Sequence, residues 1–236
     1  MGVSRKKQSA KVFGTPIGEQ KLKEVFGFDR LTNGEMKVTY DALEERLYLK
    51  AYEKGKMRNL VRFIGRDHNG KLYCENKIFF PNKRNKLDKD EALITFAREV
   101  AGLRELGVEY INAHGVGDFS ESEDYSGYYV WPRFGYNAKI PTRLKKELIA
   151  DINSKRRKKD FIEMAQQAVP KDNIQDLPEY LKKAKDMHDL MATPEGRAWW
   201  LLKGDDIDLT FNLKDGSEDI EVLRAYLKKR GIKIEL

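Results

Sequence analysis

Residues 71–114 read KLYCENKIFFPNKRNKLDKDEALITFAREVAGLRELGVEYINAH. The first ten residues are rich in Tyr, Ile and Phe and suit a half-buried strand. PNKRNKLDK, 81–89, is basic and breaks the run. From 88 to 106 the period changes. Leu93, Phe96, Ala97, Val100 and Leu103 recur at helical spacing and define one apolar stripe. Asp88 suits the helix N-cap and Gly107 its stop. VEYINAH, 108–114, then reads as a buried strand. A strand, a loop, a long amphipathic helix and a second strand make a mixed α/β unit.

Upstream, 36–40, 45–52 and 57–65 are further period-two runs, separated by short turn-like breaks at 41–42, 53–56 and 67–70. Such spacing predicts an antiparallel meander, with Asn69-Gly70 as its strongest hairpin signal. Residues 1–17 read as a mobile basic arm, and Leu22, Val25 and Phe26 suit a short helix after Gly18. Downstream, a helix or turn is expected at 124–134. Helices are then expected across 141–203, one of them at 176–191 and one capped by Thr193-Pro194. IDLTFNL, 207–213, alternates as a strand. Ser217 caps a helix that ends at Gly231, and IKIEL, 232–236, reads as a final strand. The expected fold is α/β: a mixed, largely antiparallel sheet of six or seven strands with helices on its faces. Its parts would be an arm with a short helix at 1–35, an α/β core at 36–140, a helical insertion at 141–203 before the last two strands, and a closing strand-helix-strand at 204–236.

The 236 residues suffice to bury a sizeable core, and 11% aromatic content is too high for a disordered chain. No apolar run reaches the length of a membrane span, and the N-terminus has no apolar signal-like region, so no membrane partner is expected. One cysteine, Cys74, forms no intrachain disulfide, which fits a reducing cytoplasm. The net charge of +7 is unevenly spread. Residues 1–23 hold six cations against one acid, and 143–185 hold twelve against seven, with the dense run Lys155–Lys159. Residues 205–221 reverse the sign. Basic clusters of this kind attract nucleic acid or acidic proteins, and they equally suit solvated helix faces.

The order of meander, basic loop, long helix, strand, helix and Gly-aromatic resembles the GCN5-related N-acetyltransferase superfamily. The resemblance rests on Phe96-Ala97-Arg98-Glu99-Val100, on Leu106-Gly107-Val108 and on VWPRFGY at 130–136, where Gly135-Tyr136 matches a Gly-Phe ending. It implies that the loop at 81–89 binds the pyrophosphate of acetyl-CoA or another acyl-CoA beside a helix start, an anion site by its dipole. The family's glycines are missing from this loop. Lys83, Arg84, Lys86 and Lys89 would therefore hold the phosphates by charge. The family's acid tyrosine falls on Trp131, so Tyr128 or Tyr129 would protonate the leaving thiolate. Glu75 would be the base for an amine, with Glu109 and His114 as alternatives. GYYVWPRFGY, 127–136, followed by PEGRAWW, 194–200, is also similar to segments of bacterial and phage-linked proteins. That resemblance implies a bacterial host cytoplasm or, if the chain is phage-encoded, a virion.

Tyr125, Tyr128, Tyr129, Trp131, Arg133 and Tyr136 read as a pocket wall, with rings for a planar ligand and Arg133 for a phosphate or carboxylate. They fit an aromatic helix packed on a sheet as well. Arg197, Trp199 and Trp200 read either as a partner-binding surface or as core anchors. No metal is expected, because Cys74 and the histidines lack ligand spacing and Asp205, Asp206 and Asp208 lack a calcium-loop pattern. No Gly-x-Ser-x-Gly, P-loop or dinucleotide glycine motif occurs. Three functions follow: an N-acyltransferase acting on an amine; a non-enzymatic interaction protein on the same fold that binds nucleic acid or a protein assembly; and, third in order, a toxin-like effector that acts on tRNA and uses acyl transfer and the basic patches together.

Overall fold

A computed structural model describes residues 5–27, 34–53, 57–81, 90–119 and 127–236. The chain forms two compact units. One comprises Met1–Ala113 and Phe211–Leu236, the other His114–Thr210. Six strands form one sheet in the order β1 to β6: β1 (Gly34–Asp41), β2 (Arg46–Glu53), β3 (Met57–Arg66), β4 (Leu72–Pro81), β5 (Tyr110–Gly115) and β6 (Ile207–Asn212). β1 through β4 are an antiparallel meander, and β4 and β5 run parallel. The expected largely antiparallel α/β sheet is therefore present.

In the first unit, local side chains set the turns. The Asp41 carboxylate accepts from the N–H groups of Leu43 and Glu44, closing the β1–β2 turn. Asp67 accepts from Asn69 and Lys71, and Gly70 takes the left-handed φ of +79° that the hairpin needs. The pleat then sorts the side chains. Met36, Val38, Leu47, Leu49, Leu60, Ile64, Cys74 and Ile111 are buried on one face. Helix α3 (Glu91–Glu105) lies against that face, with the predicted stripe Leu93, Phe96, Ala97, Val100 and Leu103 all buried. Phe96 meets Phe211 edge to face at 5.3 Å. The parallel step between β4 and β5 requires a crossover, and α3 provides it.

One ion pair lies inside this core. Arg62 on β3 donates through Nε and Nη2 to both oxygens of Glu99 on α3, the latter at 2.6 Å, and the two side chains are 1% and 0% exposed. Asn76 donates to the same carboxylate at 3.4 Å. The Cys74 thiol is pushed up by burial and by the Glu99 charge. Helix α2 (Glu19–Val25) packs on α3 at Gly102. A Cβ there would lie 2.4 Å from the Val25 Cα, so only glycine fits.

The second unit is helical: α4 (Gly127–Arg133), α5 (Thr142–Asn153), α6 (Lys155–Ala168), α7 (Met187–Met191) and α8 (Pro194–Lys203). Thr193 caps α8 by accepting from the Gly196 N–H, with Pro194 in the first helical turn, as the sequence predicts. Trp199 and Trp200 are completely buried.

Three expectations need correction. Within the expected arm, Arg5–Phe13 is helix α1. Ser9 is buried there and exchanges hydrogen bonds with Ile17, a tertiary contact that charge counting misses. Residues 232–236 form no strand. Helix α9 (Glu218–Lys229) closes at Gly231 with φ +70°, the Ile232 N–H turns back to the Leu227 carbonyl, and Arg224 binds the Leu236 carbonyl. The insertion consequently precedes one strand rather than two. The helix expected at 176–191 is reduced to a 3-10 segment, Glu179–Lys183, and α7. Pro178 lies outside the helix, and Asp186 bridges to Lys139 and breaks the run. The short helix or turn expected at 124–134 is present as Gly127–Arg133 among the described residues, and Gly135 follows its end at φ +104°.

Glu99→Leu strands the buried Arg62 charge and is expected to cost about 3–5 kcal/mol in urea denaturation. Adding Arg62→Leu is expected to restore most of that loss.

Candidate functional site

Glu75 stands on β4, opposite Phe63 of β3 and Asn112 of β5. Its side chain is half-buried and ion-paired with Lys77 at 2.5 Å. Lys77 is the extra residue of a bulge: β3 pairs Arg62 with Asn76 and Val61 with Ile78, skipping it. The parallel ladder with β5 covers only Tyr73–Asn76 against Tyr110–Ala113, while β4 continues to Pro81. A half-buried carboxylate thus sits next to the last rung of a parallel pair, at its carboxyl end. Ligands of open α/β sheets gather at such ends. Of the alternative bases, Glu109 is exposed and paired with Lys71 at 3.2 Å.

His114 ends β5 and is exposed. Its Nδ1 lies 2.7 Å from Asp208 and its Nε2 4.0 Å from Asp206. Asp206 also accepts from the Gly117 N–H, and Asp205 pairs with Arg143 at 2.7 Å. The acidic run therefore ties down loop and helix termini. Among the described residues no group of three or more metal-ligating side chains forms.

Tyr128, Tyr129, Trp131 and Arg133 share α4. Tyr128 is buried and donates its phenol proton to the Leu201 carbonyl at 2.7 Å. The Trp200 indole N–H donates to the Tyr128 carbonyl at 2.8 Å. Burial, with the charges of Asp118 and Tyr129, pushes the Tyr128 phenol up to about 12. Such a phenol gives up its proton reluctantly. Tyr129 is half-buried under the Arg133 guanidinium, which lies 5.3 Å from the ring centre. Trp131 is buried against Phe134 and Tyr136. Of the two α4 tyrosines, Tyr129 is the one whose ring stays accessible.

The α8 cluster is a core anchor. Trp199 donates to Asp151 of α5 at 3.0 Å, and Arg197 donates to the Met191 carbonyl at 2.9 Å. Sequence reasoning left Asp151 out, although its place beside Leu144, Leu148 and Ile152 on the apolar stripe of α5 marked an acid facing the core. Asp151 lines a cleft of about 220 Å³ with Glu147, Arg157, Phe161 and Lys203. Lys83, Arg84, Lys86, Lys89 and Tyr125 lie outside the described residues.

No family model, curated protein or solved structure matches this chain. No helix among the described residues is long and apolar enough to cross a membrane.

The Tyr128 phenol, raised in the fold from 10 to about 12, stabilises the folded state fully below pH 10, and that contribution is lost as pH climbs towards 12. Tyr110, raised to about 12 by burial and by its bond to Asp67, behaves in the same way. Tyr128→Phe is therefore expected to reduce, and Tyr128→Phe with Tyr110→Phe largely to abolish, the fall in melting temperature that tyrosine ionisation causes over this window.

Proposed function

We propose that this chain is an acyl-CoA-dependent N-acyltransferase with a GCN5-related fold, acting on an amine. The observation that carries the reading is the short β4–β5 ladder with Glu75 beside its last rung. Past Asn76 and the Lys77 bulge, β4 runs on beyond the end of that ladder, and its backbone is suited to pair with an extended ligand that carries amide groups, as an added strand does. An acyl-CoA arm is such a ligand, and it supplies the thioester. Lys83, Arg84, Lys86 and Lys89, in the segment before α3, are the cations for its phosphates.

Glu75 takes the proton of the attacking amine, directly or through one water. Lys77, ion-paired with Glu75, orients the carboxylate. Within the second unit, Arg133 of α4 is a cation suited to a phosphate or carboxylate, and Tyr129 is the α4 tyrosine left for a chemical role, since Tyr128 is committed to Leu201.

A second reading, a non-enzymatic nucleic-acid- or protein-binding protein on this fold, draws support from the engaged Tyr128 phenol. It also draws support from the exposed Lys155, Arg156, Arg157 and Lys159 on α6.

Calorimetry with acetyl-CoA and thiol-release assays over a panel of amines separate the two. Binding that is lost in a Lys83/Arg84/Lys86→Ala variant is expected. Glu75→Gln is expected to lower kcat/KM on the order of a hundredfold with the melting temperature unchanged. Absence of binding at millimolar acetyl-CoA would overturn the acyltransferase reading.

A further inference from the structure

The face of the sheet opposite α3 carries an uncommon set of side chains. Across the strands, one row reads Thr39, Tyr48, Phe63, Glu75, Asn112, and the next reads Asp41, Arg46, Gly65, Tyr73, Tyr110. Tyr48, Phe63, Tyr73 and Tyr110 are all half-buried, not enclosed. Tyr48 and Phe63 lie 5.2 Å apart between ring centres, and Tyr73 and Tyr110 stack at 5.8 Å and 14°. Phe63 and Tyr73 are diagonal neighbours across β3 and β4, so the four rings form one ribbon over β2, β3, β4 and β5. Gly65 lies beneath the ribbon. A Cβ there would sit 3.5 Å from the Tyr73 ring and 3.1 Å from the Arg46 Cβ. The missing side chain gives Tyr73 and Arg46 their room.

The charge on this face that lacks an ion-pair partner among the described residues is mainly cationic. Lys37 of β1 and Lys50 of β2 are both exposed and stand directly opposite each other in the ladder. Like charges in register repel unless an anion lies between them, and neither lysine has an ion-pair partner among the described residues. Arg46 lies with its guanidinium 4.2 Å from the centre of the Phe63 ring, and its buried Nε has no hydrogen-bond partner. The acids on this face are mostly engaged. Glu75 is paired with Lys77, Asp41 closes its own turn, and Asp67 accepts from the Tyr110 hydroxyl at 3.1 Å. Glu35 is an exposed acid on this face, two residues before Lys37 on β1 and away from the aromatic ribbon.

Aromatic faces combined with unpaired cations fit a polymer with alternating planar rings and negative charges. We propose that this sheet face binds single-stranded nucleic acid: bases stack on Tyr48, Phe63, Tyr73 and Tyr110, and phosphates bridge Lys37, Lys50 and Arg46. Such platforms gain affinity from ring stacking that any base can supply, together with counterion release. A duplex keeps its base faces covered and cannot use the rings. The inference is independent of acyl transfer and uses a surface other than the basic segments 1–23 and 143–185.

The test is fluorescence anisotropy of the full chain with labelled oligothymidylate and oligouridylate of about 12 nucleotides, against a duplex of equal length. Single strands are expected to bind more tightly than the duplex, with quenching of tyrosine fluorescence and a steep dependence on salt. Phe63→Leu and Tyr73→Leu keep apolar bulk and remove a ring, and each is expected to weaken binding about tenfold. Lys37→Gln with Lys50→Gln changes only exposed side chains, and is expected to flatten the log–log salt slope by about 0.7 for each phosphate no longer neutralised. Circular dichroism checks the fold of each variant. Three results would overturn the proposal: no binding, equal binding of duplex, or a loss confined to a Lys155/Arg156/Lys159→Gln variant.

Discussion

The bond between Arg62 and Glu99 fixes the first unit's architecture. A guanidinium on the third strand and a carboxylate on the crossover helix meet where neither reaches water. Charges that deep are tolerated only when each satisfies the other, so β3 and α3 have one acceptable register. Glu99 also reaches the Asn76 amide and the Cys74 sulfur, so β4 is drawn into the same network. With β4 and α3 set, the parallel placement of β5 follows from the crossover. Glu75 then comes next to the last β4–β5 rung.

The pleat explains why the same strands serve two ends. Cys74 and Asn76 point into the core, and Glu75, between them, points out. Tyr73 and Glu75 thus share a face with Phe63, Tyr110 and Asn112. The buried face holds the fold together, and the exposed polar and aromatic groups are on the other. In the second unit, aromatic residues do the reverse. Tyr128, Trp131, Trp199 and Trp200 are buried, and the polar atoms of Tyr128 and of the paired tryptophans go to carbonyls and to Asp151. An aromatic-rich motif is a poor guide to a pocket when helices can pack around it.

Of the candidate site, the place of Glu75 on its strand was legible in the sequence. Glu75 was placed by the meander and by the helix that follows. The status of Tyr128 was not legible, because a phenol held by a carbonyl 73 residues away leaves no local signal. The aromatic ribbon was equally hidden. Tyr48, Phe63, Tyr73 and Tyr110 belong to four strands, and only the register makes them neighbours.

The α3 stripe, the hairpin at Asp67–Lys71, the Thr193 cap and the period-two strands could all be read from the chain itself, because each follows from side chains within a few residues of one another. The folded packing decided that 232–236 would turn back beside α9 instead of pairing, that residues 5–13 would be helical, and that Arg62 and Glu99 would share a dry core. Arg62 and Glu99 are 37 residues apart, and the other two outcomes rest on contacts that reach back over a turn, Arg224 to Leu236 and Ser9 to Ile17, which no periodicity announces and which outweigh the weak local preference of a short segment.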